Sequence, residues 1–71
     1  MRYRDMDLDD LVRAAMRRDR ELSGFRIDVN VRNGIVYLRG SVSSHARQQA
    51  IDLAGGIESV AVVVDQMSVI V

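Results

Sequence analysis

Apolar residues recur along this chain first with a helical period and then with a strand period. From about Asp7 to Arg20, Leu8, Leu11, Val12, Ala15 and Met16 fall at i, i+3, i+4, i+7 and i+8. That spacing draws one apolar stripe on an amphipathic helix. Asp5 and Asp7 are candidate N-caps. Asp9 and Asp10 in the first turn, with Arg17, Arg18 and Arg20 in the last, suit both ends of the helix dipole. Ser23-Gly24 predicts the stop.

From Phe25 to Val31 apolar and polar residues alternate, Asn33-Gly34 follows, and a second run extends from Ile35 to Val42. Asn-Gly between two such runs predicts a type I′ hairpin, since both turn residues need positive φ. A two-residue turn fixes the register. Val31 faces Val36, Val29 faces Leu38, Ile27 faces Gly40 and Phe25 faces Val42, so one face is apolar apart from the glycine. The other face pairs Arg32 with Ile35, Asn30 with Tyr37, Asp28 with Arg39 and Arg26 with Ser41. A slip of one residue would scramble both faces.

Ser43 or Ser44 caps a second helix, about Ser44 to Ala54. Its buried stripe is Ala46, Ala50, Leu53 and Ala54, with Ile57 just beyond, and Gly55-Gly56 ends it. Val60 to Val71 is rich enough in Val and Ile to be a last strand. Val63, Asp65, Met67, Val69 and Val71 share one face; Val62, Val64, Gln66, Ser68 and Ile70 share the other. Apolar residues on both faces predict a central strand, or one whose outer face is also covered. The order is αββαβ, an α+β fold. A right-handed crossover through the second helix sets the third strand parallel to the second in a mixed sheet. Whether those two strands are neighbours stays open.

With 71 residues there is room for one domain over 1–71, its core about 7–70. So short a chain buries only about 60% of its unfolded surface, which raises the value of a partner or a second copy. Aromatics are limited to Tyr3, Phe25 and Tyr37, so the core is aliphatic. Absence of cysteine removes disulfides and thiolate metal sites. Ten Arg balance eight Asp and two Glu. Zero net charge argues against nucleic acid as the partner. Met1 to Asp10 has no apolar h-region, and no stretch reaches the ~18–20 apolar residues of a membrane span. The expected place for the chain as given is the cytoplasm, or the periplasm or envelope if it is cut from a longer secreted protein.

Candidate chemistry is sparse. His45 is the one histidine and lacks a Cys or second His at ligand spacing, which favours a solvated helix-end residue. Asp7, Asp9 and Asp10 lack the Gly and closing Glu of a Ca²⁺ loop and read as dipole partners. Ser43 and Ser44 adjoin His45, but sequence neighbours do not make a triad. The glycine pairs fit turns, not a phosphate-cradling loop. Neither catalysis nor a cofactor is expected. Arg13, Arg17 and Arg20 line one helix face and could touch anionic headgroups, although Asp9 and Glu21 damp the stripe and a solvated face is the simpler reading. Ile35, Tyr37, Val62, Val64 and Ile70 would face away from the helices. They form either an apolar contact surface or single residues scattered among arginines.

The run Ile27 to Val42, with Asn33-Gly34, then Val36, Leu38, Gly40 and Val42, resembles the hairpin of the bacterial osmotic-stress and nodulation (BON) domain. Ala50, Ala54, Ile57, Val60, Val63, Met67 and Val69 extend the resemblance, so it covers about Leu8 to Val69. Ser59 stands where the family has Gly, and Asp65 where it has Asn. Both departures concern turn geometry. The resemblance implies a three-stranded sheet with two helices on one face, no enzymatic activity, and attachment to phospholipid membranes or envelope proteins. Expected partners are therefore anionic phospholipid or a protein, with a weak homodimer through the outer sheet face as a further expectation. A cytosolic protein-interaction or self-association module, on its own or as part of a larger regulatory protein, is the alternative.

Overall fold

A computed structural model describes residues 5–70. Its elements are α1 (Asp5–Arg18), β1 (Asp28–Arg32), β2 (Ile35–Val42), α2 (Ser44–Gly55) and β3 (Val62–Val69). The sheet runs β1-β2-β3, with β1 antiparallel and β3 parallel to β2. It is a mixed three-stranded sheet in a small α+β fold, as the pattern predicts. The second and third strands are neighbours. Position 71, to which the last strand was expected to run, lies outside the described residues, as does Tyr3.

The hairpin register is the expected one from Arg32↔Ile35 to Asp28↔Arg39. Asn33 and Gly34 have φ of 52° and 76°, the pair of positive values that a type I′ turn needs. β1 is shorter than expected, however, and neither Ile27 with Gly40 nor Phe25 with Val42 joins the ladder. Gly40 explains this. A Cβ at that position would stand 2.6 Å from the Arg26 carbonyl oxygen. The chain entering β1 therefore crosses closely over β2 instead of pairing beside it.

α1 presents Leu8, Val12 and Met16 to the sheet, a narrower line than the five-residue stripe; Leu11 sits on the flank and is exposed. The helix ends at Arg18, two residues early. Asp19 takes over there. Its carbonyl accepts the N–H of Ser23 at 3.0 Å, its Oδ1 accepts the N–H of Glu21 at 2.9 Å, and its Oδ2 accepts from Gln49 Nε2 on α2 at 2.8 Å. The side-chain bond to the Glu21 N–H competes with helix continuation. Asp7 lies inside α1, and because Asp5 is its first described residue, the cap lies outside the described residues.

Ser43 is the cap of α2, its hydroxyl accepting the Ala46 N–H at 3.1 Å. Ala46, Ala50 and Ala54 are buried against the sheet, where side chains this small let the helix lie close. Gly56 ends the helix in right-handed backbone, φ −83°, so the glycines are not used there for a left-handed turn. These residues close over Val29, Val31, Val36, Leu38 and Val42 on the inner sheet face. Leu22, from the turn after α1, completes the core.

Of the two alternatives for the last strand, the central one does not hold: β3 is an edge strand, and no residue of it is fully buried. Val63 and Met67 pack against the core, while Val62 and Val69 are exposed.

Candidate functional site

Of the three candidate arginines, Arg13 and Arg17 lie four residues apart on α1 and line one groove, and Arg20 lies beyond the helix. Arg13 is exposed but engaged: its Nε donates to Asp9 Oδ1 and its Nη2 to the Val29 carbonyl. It ties α1 to β1 and spends part of its guanidinium on the fold. Arg17 occupies the last turn of α1 and is exposed. Arg20 lies beyond the end of the helix, in the turn shaped by Asp19.

Arg17 shares a groove with residues of the loop that follows α1. An open groove of about 770 Å³ runs between the second half of α1, the connecting loop and the start of β1. Arg13, Arg17 and Arg26 line it together with Met16, Phe25 and Ile27. Guanidinium groups thus stand around a partly apolar floor. The alternation of the hairpin assigns Arg26 to the outer sheet face. Arg26 is exposed between half-buried Phe25 and Ile27, which keeps that alternation, and the groove adjoins it from the α1 side.

On the outer face the register sets Ile35 beside Val62 and Tyr37 beside Val64. These four form a compact apolar patch at the turn end of the sheet. Arg32 adjoins Ile35 and Asn30 adjoins Tyr37; Arg39 and Gln66 make the next row. Ile70 does not belong to the patch. It lies past the far end of β3, its N–H bonded to the Val42 carbonyl at 2.7 Å.

Elsewhere the side chains have structural work. His45 Nε2 lies 3.0 Å from Glu21 Oε1, both well exposed, and Asp9 is held by Arg13. Among the described residues no group of three His, Cys, Asp or Glu could hold a metal ion. No helix among them is long and apolar enough to cross a membrane. Asp65 accepts from Arg47 Nε on α2 at 2.5 Å and from its own strand's Met67 N–H at 2.9 Å. Ser59 holds φ of 81°, keeping the positive angle at the position where the resemblance puts glycine.

The family model of the BON domain matches residues 4–70, nearly the whole chain. The chain belongs to the BON domain family. No curated protein matches it. Membership makes it a small binding module from a family of non-catalytic binding domains. Within that frame, Gly40 and the Asn33-Gly34 turn of this BON domain serve its architecture.

Proposed function

We propose that this BON domain is a non-enzymatic attachment module that holds the protein carrying it against an anionic phospholipid surface, at a membrane or the cell envelope. The groove is the supporting observation: Arg17 and Arg26 flank a floor containing Met16, Phe25 and Ile27, with Arg18 and Arg20 exposed nearby. Phosphate groups suit guanidinium forks, and acyl chains suit the floor. Each basic residue near such a surface contributes ~1 kcal/mol, partly offset here by Asp19, Glu21 and Asp28, so attachment is weak and salt-sensitive. Zero net charge leaves nucleic acid out of this reading.

Flotation with vesicles of phosphatidylcholine, with and without phosphatidylglycerol, tests the proposal. The domain is expected to float with the anionic vesicles only, less so as salt rises, and to lose binding in Arg17→Gln/Arg26→Gln. Equal binding to both vesicle types, or an unaffected double variant, would overturn it. The outer patch favours a second reading, a protein partner with an apolar surface and an acidic rim to meet Arg32 and Arg39. Under that reading Tyr37→Ser and Val64→Ser detach the partner and leave vesicle binding unchanged.

A further inference from the structure

β3 carries an unmatched share of the apolar surface. Of the four large apolar side chains most exposed among the described residues, Val62 (52%), Val69 (43%) and Ile70 (55%) lie at the two ends of this strand. The strand is eight residues long and has one sheet neighbour. Its outer edge also lacks the usual protections against pairing. It contains no Lys, Arg or Pro, and its one charge, Asp65, is engaged by Arg47. The opposite edge differs: β1 has five residues and carries the exposed, charged Asp28 and Arg32.

We propose that two copies of this domain pair through their β3 edges, antiparallel, about a two-fold axis at Gln66, giving one continuous six-stranded sheet. Because the Ile70 N–H points at β2, the alternation of a strand turns the N–H and C=O groups of Val63, Asp65, Met67 and Val69 toward the free edge. With Gln66 facing its own copy, Val62 meets Ile70 of the second copy on the outer face. On the inner face Val63 meets Val69 of the second copy. Each exposed apolar residue of the strand thereby gains an apolar partner, and Asp65 stands opposite Met67, not another carboxylate. Neighbouring registers do worse. An axis at Asp65 opposes two carboxylates, and an axis at Met67 takes Ile70 away from Val62 and sets the Asp65 carboxylate against Val69. The Met67 N–H exchanges its bond to Asp65 Oδ1 for a carbonyl of the second copy, which keeps the association reversible. Both helical layers fall on one side of the joined sheet, and both patches of Ile35, Tyr37 and Val64 fall on the other.

The chain has no cysteine, so one introduced thiol reports the axis cleanly. Residues facing across a non-hydrogen-bonded antiparallel pair have Cα atoms about 4.5 Å apart, within disulfide range. Gln66→Cys is expected to cross-link under mild oxidation more than ~10-fold faster than Asn30→Cys on the opposite edge, through the raised effective concentration. Sedimentation of the unmodified chain is expected to show a concentration-dependent dimer. Gln66→Lys should lose that dimer, since it opposes two ammonium groups on the axis, while keeping the melting temperature of the dilute protein. A monomer at all concentrations, equal cross-linking rates at the two positions, or a dimer that survives Gln66→Lys would each overturn the proposal.

Discussion

The carbonyl oxygen of Arg26 lies 2.6 Å from where a Cβ on residue 40 would stand, so only glycine fits beneath that crossing. Gly40 also holds φ of 147°, a region that side chains rarely enter. Gly40→Ala is therefore expected to cost about 3 kcal/mol or more, because the obstacle is backbone and cannot rotate away. A domain of this size has on the order of 5 kcal/mol in total, so the variant should be largely unfolded near room temperature. Urea titration followed by circular dichroism is the measurement. An alanine variant within ~1 kcal/mol of the parent would mean that the crossing is not as close as described.

The hairpin is legible in the sequence because a two-residue turn and strict alternation over-determine its register. The truncation of β1 is not. Alternation reads the same whether Phe25, Arg26 and Ile27 pair beside β2 or pass over it, and Gly40 alone distinguishes the two. Exposure keeps to the alternation at Arg26, between half-buried Phe25 and Ile27, but the groove that it lines with Arg17 is invisible before folding.

Ser59 occupies positive φ, 81°, without being glycine or asparagine. Left-handed backbone costs an L-residue roughly 1–2 kcal/mol, while glycine gives back roughly half of that as extra unfolded-state entropy. Ser59→Gly is thus expected to stabilise by ~0.5–1 kcal/mol, raising the melting temperature by a few degrees in a domain of this length. Thermal melts of the two proteins side by side decide it. A lower melting temperature in the glycine variant would show that the serine side chain contributes more than the angle costs.

Leu22 belongs to a turn by its sequence neighbours, Glu21 and Ser23-Gly24, yet it is 2% exposed. Its spacing from Leu8 and Ala15 continues the helical stripe, but α1 ends at Arg18, and the turn that follows carries Leu22 into the core instead. Leu22→Ala should cost about 2–5 kcal/mol, as much as a truncation in the middle of α1. Leu11→Ala, at 39% exposure on the helix flank, should cost well under half as much. Chemical denaturation of both variants tests the contrast. Equal losses would restore the broader stripe that the sequence suggests.

β3 shows a different limit of pattern reading. Apolar residues on both faces are compatible with a central strand, but α2 returns the chain to the far side of β2 and leaves β3 at the edge. Its two-faced apolar character then marks unburied surface, which composition alone cannot distinguish from a core strand.

Asp65 is the polar exception on the inner face of that strand, and Arg47 of α2 reaches it at 2.5 Å. Two contributions can be separated there. The ion pair is partly exposed, 43% on the arginine side, so its coupling should be modest, about 0.5–1 kcal/mol, and should fade as salt rises. The bond from the Met67 N–H to Oδ1 is local and needs an acceptor but no charge. Asp65→Asn should therefore keep the second contribution and lose most of the first, whereas Asp65→Ala loses both. A double-mutant cycle with Arg47→Ala measures the pair directly. The coupling is expected to vanish when asparagine is already present. If Asp65→Asn instead destabilises as much as Asp65→Ala, the charge carries the whole effect, and the carboxylate fastens α2 to β3 through Arg47 alone.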